Sequence, residues 1–311
     1  LPFILAAVLV AAAAAPGWSQ TCTWGGTSTV APPQIVALRS RHALLQAPLR
    51  VAVDAASNTY TADPSAGRVV VRDAWGRLVS VKDGLLTPTA VAINGFGRIL
   101  VAEQGAGSVS VFDHGWRLLA KLGQGDGEFQ LPNDIAVDPA SGAIYVSDGA
   151  ANLVKAYTAD WAPLFSFGGT GRALGQFSFP AALHVSASGE VFVADQNNDR
   201  VQVFARDGKP LRCFGGRTGG MSMSTRFGRI QGITSDGLGR LYVADAFQGY
   251  VQVFDAQGVL LSTIGSFGDG PGELKTPVGL AIDAHNRLFV ASTNNGRLEV
   301  YGLDAFSDPA H

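Results

Sequence analysis

The sequence predicts an all-β chain: a six-bladed β-propeller of four-stranded antiparallel blades, with an N-terminal strand closing the last blade. Three observations predict it. Five segments end in the same apolar-Ala/Ser-acid pattern and a sixth nearly does: TAD at Asp63, VAE at Glu103, VSD at Asp148, VAD at Asp195, VAD at Asp245 and VAS at Ser292. By subtraction of residue numbers they recur every 40, 45, 47, 50 and 47 residues, the period of a propeller blade rather than of a helical repeat. Five residues after each anchor a new apolar segment starts, at Arg68, Ser108, Leu153, Arg200, Tyr250 and Arg297.

Each unit then resolves into four strands. Upstream of each anchor lies an apolar run (VAVD, VAIN, IAVD, LHVS, ITSD, LAID), as expected of an inner strand buried on both sides by neighbouring blades. The anchor closes the second strand. The third, VQVF in its clearest form, alternates apolar and polar positions, which suits a place further from the axis. A fourth follows in GRLVSV, WRLLAKL, PLFSF, PLRCF and VLLSTI. The sixth unit has only three, because DAFSDPAH after Tyr301 holds no strand; QIVALRS at residues 34–40 has the character to supply it, and without it the ring would carry an open edge.

Composition agrees. Thirty-nine glycines among 311 residues, with 47% hydrophobic and only 15% charged residues, describe apolar strands joined by many tight turns. The formal net charge of -2, with scattered Lys and Arg, excludes the basic stripe of a nucleic-acid binder. The first residues form an apolar run, PFILAAVLVAAAAA, followed by Pro16, Gly17 and Ser19; this predicts a cleaved signal peptide over residues 1–20, no membrane span after cleavage, and a periplasmic or extracellular protein. Residues 21–33 then form an N-terminal segment, 34–304 the propeller and 305–311 a C-terminal tail. The two cysteines, Cys22 and Cys213, allow one disulfide and no metal framework. Because Cys213 falls in the fourth repeat and Cys22 precedes the segment assigned to the sixth, the ring is expected to keep them apart.

GQGDGEFQLPNDIAVD (123–138) and VFVADQNNDRVQVF (191–204) resemble NHL repeats, and the resemblance extends over roughly residues 34–303. It implies a six-bladed propeller with a central channel, whose relatives bind proteins, RNA or peptides, apart from an amidating lyase branch that carries zinc. Histidine use argues against that branch here. Zinc would need several imidazoles at one end of the channel, whereas His42, His114, His285 and His311 fall in connections, turns or the terminus and only His184 lies on an inner strand. His184 stands where other units have Ala52, Ala92, Ala136, Thr234 or Ala281; it is expected to be packed or hydrogen-bonded, with ligand contact as the alternative that places it among the candidate binding residues.

The recurrent acids Asp63, Asp148, Asp195 and Asp245 read as turn residues accepting backbone N–H groups, as do Asp54, Asp138, Asp236 and Asp283 at the ends of the inner strands. Arg68, Arg200 and Arg297 read as ties between blades. Candidate binding residues are those that break the repeat. Arg50 and Asp134 precede inner strands where other units have Ala or Gly, and with Asn197, Asn198, Phe247, Gln248, Asn294 and Asn295 of the loops joining second and third strands they outline one face. The connection 215–230 abandons the GxGxF pattern of its counterparts and carries Arg217, Met221, Met223 and Arg226; it reads first as a variable loop without function, next as a deformable contact surface to which the Met-Ser-Met array is suited, and least well as a soft-metal site.

No Ser-His-Asp set, P-loop or carboxylate pair can be read from the spacing, and no cofactor is implied. The sequence therefore points to a monomeric, non-enzymatic scaffold for a protein or peptide. The alternative is a metal-dependent propeller lyase or hydrolase.

Overall fold

The computed structural model describes residue 22 and residues 27–38, 44–123, 129–216 and 227–304. Six four-stranded antiparallel sheets form the ring. Blade one is β2 (Arg50–Val53), β3 (Thr59–Asp63), β4 (Arg68–Arg72) and β5 (Leu78–Lys82), and blade two is β6 (Pro88–Ile93), β7 (Ile99–Glu103), β8 (Ser108–Phe112) and β9 (Leu118–Leu122). Blade three is β10 (Pro132–Val137), β11 (Ile144–Asp148), β12 (Leu153–Tyr157) and β13 (Pro163–Gly168), and blade four is β14 (Pro180–Val185), β15 (Val191–Asp195), β16 (Arg200–Phe204) and β17 (Pro210–Gly215). Blade five is β18 (Ile230–Ser235), β19 (Leu241–Asp245), β20 (Tyr250–Phe254) and β21 (Leu260–Ile264). Blade six is β22 (Pro277–Ile282), β23 (Arg287–Ser292), β24 (Arg297–Leu303) and β1 (Ile35–Ala37).

The third strands begin at the six residues the repeat predicts, and β1 closes the ring as expected. It pairs antiparallel with β24 through Ile35 with Leu303, Val36 with Gly302 and Ala37 with Tyr301. Backbone bonds from Leu38 N to Val300 O and from Asp304 N to Gln34 O extend the ladder. The core lies between blades rather than inside one: Tyr60, Ala62, Val69 and Val71 of blade one pack with Val91, Ile99, Val101 and Phe112 of blade two. Each such side chain removed from water contributes on the order of 1.5–3 kcal/mol, so every blade depends on its neighbour.

The second-strand anchors act further than the turn reading requires. Asp63, Glu103, Asp148, Asp195 and Asp245 each accept a backbone N–H 17 residues upstream, from the segment that enters the same blade (Gln46, Leu86, Leu131, Ser178 and Gly228), and Ser292 Oγ takes the same place in blade six by accepting from Lys275 N.

 The carboxylates thus fasten each incoming connection to its own blade. Arg200 and Arg297 do the same from the next strand, donating from Nη2 to the carbonyls of Ala173 and Gln176 and of Gly270. The arginines therefore grip the connections rather than the neighbouring sheets, and Arg68 follows suit with the Leu44 carbonyl. Asp54, Asp236 and Asp283 close the inner-strand turns as read, each accepting N–H groups two and four residues on.

The expectation for the cysteines is overturned: Cys22 and Cys213 form a disulfide across 191 residues of sequence. Cys213 lies on β17, the outermost strand of blade four. The ring separates the blade cores, but the chain ahead of β1 is confined to none of them and reaches an outer strand two blades away. Among the described residues no helix is long and apolar enough to cross a membrane.

Candidate functional site

The six inner strands surround a cavity of about 490 Å³. Their final residues supply an aliphatic collar, with Val53, Ile93, Val137, Val185 and Ile282 joined by Ser235. One step deeper stand Ala52, Ala92, Ala136 and Ala281 with His184 and Thr234. Pro139, Ala187 and Gly237, from the turns that follow the inner strands, also line it, so the cavity opens on the face of those turns.

Its inner end is closed by a charge pair. Arg50, 6% exposed, and Asp134, 7% exposed, meet with Nε 3.2 Å from Oδ1. Arg50 Nη2 continues across the ring from blade one to donate to the Ala181 carbonyl of blade four at 2.7 Å. Asp134 Oδ2 accepts the Leu183 N–H at 2.9 Å, and Oδ1 accepts from Ile135 N. The pair thereby satisfies two backbone groups that the edge of β14 presents to the channel. Burial pushes the Asp134 carboxyl above its usual range, against the opposing pull of Arg50 and the two N–H groups.

Two glycines let the strands draw together at this level. A Cβ on Gly232 would lie 1.7 Å from the Val278 carbonyl oxygen, and one on Gly279 would lie 2.6 Å from the Arg50 Cα. These positions correspond to Arg50 and Asp134 in the repeat, so the units that carry glycine leave room for the two that carry long polar groups.

His184 is half-buried, and its Nε2 lies 2.7 Å from Ser235 Oγ of the next blade. Its apolar surroundings lower the imidazole pKa to about 4, which keeps the ring neutral at physiological pH. The hydrogen-bonded role read for it from the sequence holds.

On the opposite face the loop residues divide into two kinds. Asn198 and Asn295 are buttresses: their Nδ2 groups donate to the Gly171 and Gly268 carbonyls, each 27 residues upstream. Asn197 and Asn294 are exposed, although Asn294 Nδ2 also donates to Thr276 Oγ1. Gln248 is half-buried, with its N–H donated to Asp245 Oδ1. Phe247 is 79% exposed, and Phe267, 66% exposed, packs against Gly249 of the same loop. Phe267 belongs to the connection between blades five and six and was not singled out from the sequence; a lone aromatic in a glycine-rich connection gives no signal until the loop it touches is known. Arg217, Met221, Met223 and Arg226 lie outside the described residues.

A family model described as SMP-30/gluconolactonase/LRE-like region matches residues 84–266, more than half of the chain. The chain belongs to the SMP-30/gluconolactonase/LRE-like family. No curated protein matches its sequence. Among solved structures it is similar to a gluconolactonase from Xanthomonas campestris, at 21% identity and a TM-score of 0.67, over 87% of this chain and 90% of that one. It is similar to virginiamycin B lyase from Staphylococcus aureus, at 12% identity and a TM-score of 0.62, over 87% and 99%. An auxiliary nutrient binding protein from Bacteroides thetaiotaomicron follows at 14% identity and a TM-score of 0.65, over 84% and 70%. At these identities the likeness is one of fold.

Within this SMP-30/gluconolactonase/LRE-like propeller, the donor set of the channel does not fit a metal ion. Both Asp134 oxygens are occupied by Arg50 and backbone N–H groups, and His184 stands without a second imidazole or free carboxylate beside it. Among the described residues no group of three or more His, Cys, Asp or Glu could hold a cation.

Proposed function

We propose that this chain is an exported, non-catalytic propeller of NHL-type repeats that holds a protein or peptide on the face carrying the loops between second and third strands. The observation that carries the reading is the exposure of Phe247, on the loop between the second and third strands of blade five, and of Phe267, which packs near Gly249 of that loop. Both are large aromatic side chains left mostly in solvent, 79% and 66% exposed, and apolar surface of this kind is characteristic of contact sites. Asn197 and Asn294 provide polar contacts elsewhere on that face. The disulfide supports export, because such bridges persist in oxidising compartments. The chain is expected to act as a monomer, without nucleic acid.

A second reading, a propeller lyase or hydrolase, is favoured by the family's name and by the contact between His184 and Ser235, which has the form of a base and a hydroxyl nucleophile. Against it stand the low basicity of that imidazole and the engagement of Asp134. Metal content and partner capture separate the two readings. Protein purified from its native compartment should carry no stoichiometric zinc or calcium, and Phe247→Ser with Phe267→Ser should weaken partner capture at least tenfold. A stoichiometric metal lost in His184→Ala would overturn the scaffold reading.

A further inference from the structure

The face on which the cavity opens carries apolar side chains that neither the blades nor the partner site at Phe247 uses. Phe96 and Leu238 occupy the same place in the inner-strand turns of blades two and five, NGFGR (94–98) and DGLGR (236–240), where each donates its N–H to the side chain two residues before it. The other four turns place small or polar residues there, Ala56, Ala140, Ser188 and His285. Glycine on either side leaves little to cover the two tips, and they are 74% and 71% exposed. Blades two and five lie three steps apart in a ring of six, so the tips stand on opposite sides of the cavity mouth. Trp75, 54% exposed, joins them from the hairpin between β4 and β5, and Leu78, Leu118 and Leu164 are exposed where outer strands begin at the same end of their blades. The charges of this face are sorted by depth. Arg77 and Arg117 pair with Asp73 and Asp113 of their own hairpins, yet the arginine side chains are 73% and 78% exposed and the carboxylates 14% and 22%. Arg206 and Lys209 are exposed on the hairpin of blade four, against the exposed Asp160 and Asp207. The outermost charge is therefore mainly positive.

We propose that this face rests on an anionic lipid bilayer, with Phe96, Leu238 and Trp75 entering the headgroup layer and the projecting arginines meeting lipid phosphates. The placement of the tips decides against a peptide, since one bound at either tip would leave the other in water across the cavity mouth. A flat surface meets both at once, and apolar side chains on one plane flanked by Arg and Lys are what interfacial binding requires. Trp75 lies under the Arg77 guanidinium, 4.8 Å from its ring centre, and an amphipathic ring beside a cation suits the headgroup layer. Sign decides the lipid: each basic group near an anionic surface adds to the attraction, and salt screens it. The loops bearing Phe247 and Phe267 then point away from the bilayer, so this contact does not compete with the partner proposed for them, and a crosslinker at position 96 meets lipid rather than protein.

Co-sedimentation of the protein with vesicles of phosphatidylcholine, alone or mixed with phosphatidylglycerol, tests this. The parent should bind the mixed vesicles at least tenfold more tightly than the neutral ones, and raised salt should weaken that binding. Phe96→Ser with Leu238→Ser changes only exposed side chains, so it should keep the parent melting temperature and weaken binding to the mixed vesicles at least tenfold. Arg77→Gln with Arg117→Gln, on separate hairpins, gives a second test that does not depend on that variant folding; it should bring binding to the mixed vesicles down toward that to the neutral ones. Phe247→Ser with Phe267→Ser should bind vesicles like the parent, so loss of partner capture and loss of lipid binding are read on different variants. The proposal is overturned if the parent does not sediment with the mixed vesicles, if the Phe96 and Leu238 variant or the arginine variant binds them like the parent, or if the Phe247 and Phe267 variant loses binding to the same extent. A protein adduct from a crosslinker at position 96 in the absence of vesicle binding would assign the face to a protein and overturn it as well.

Discussion

Arg50 and Asp134, from blades one and three, close the channel of this propeller by pairing with each other and hydrogen-bonding two backbone groups on the edge of blade four. A polar pair at the centre of an apolar channel invites a catalytic reading, but its hydrogen bonds are spent on holding inner strands in place. Removing one partner would leave the other buried and unpaired, so Arg50→Met alone should cost about 3–5 kcal/mol. The double variant with Asp134→Leu should recover much of that loss. Chemical denaturation of the three variants checks the order; equal losses in the single and double variants would contradict it.

The glycines at the same level carry a steric prediction. Gly232→Ala places a methyl against the Val278 carbonyl, whereas Gly95→Ala adds one in open space. The first should destabilise the protein by about 1–3 kcal/mol or more, and the second should change stability by less than about 1 kcal/mol. Thermal melts of the two variants check this contrast.

Ring closure by β1 is reinforced by the disulfide. Serine in place of Cys213 should lower stability by roughly 2–5 kcal/mol, and Ile35→Asp, which sets a charge among the side chains packed on Tyr301 and Leu303, should lower it further. Thiol titration under denaturing, non-reducing conditions should find no free cysteine; two free thiols would contradict the bridge.

His184 gives a pH signature. Its folded pKa of about 4 lies below the unfolded value of 6.5, so the unfolded chain takes up the proton first as pH falls. Stability that is complete above about pH 6.5 is lost progressively down to about pH 4, by up to about 3 kcal/mol. His184→Gln should flatten that part of the profile. Melting temperatures of both proteins between pH 7 and pH 4.5 should diverge, and parallel curves would show that the imidazole is not desolvated.

Much of this architecture was legible because the repeat is read from local pattern. Strand starts, turn acids and the missing sixth-blade strand all depend on residues within one unit, and each appears where the sequence places it. Arg50 and Asp134 were visible as departures from the repeat, but their pairing was not, because it depends on the diameter of the closed ring. The same holds for the bridge between Cys22 and Cys213, made by a segment outside the repeats. The carboxylate anchors were read as turn groups; their grip on N–H groups 17 residues upstream requires the incoming connection to pass over the turn, which no local pattern encodes.

The central claim is that partners are held on the face bearing Phe247 and not at the cavity mouth on the other side. A photo-crosslinking amino acid placed at position 247, and separately at position 96, can be activated in the protein's native compartment. The account predicts a discrete protein or peptide adduct from position 247 and none from position 96. An adduct from position 96 with none from position 247 would contradict it.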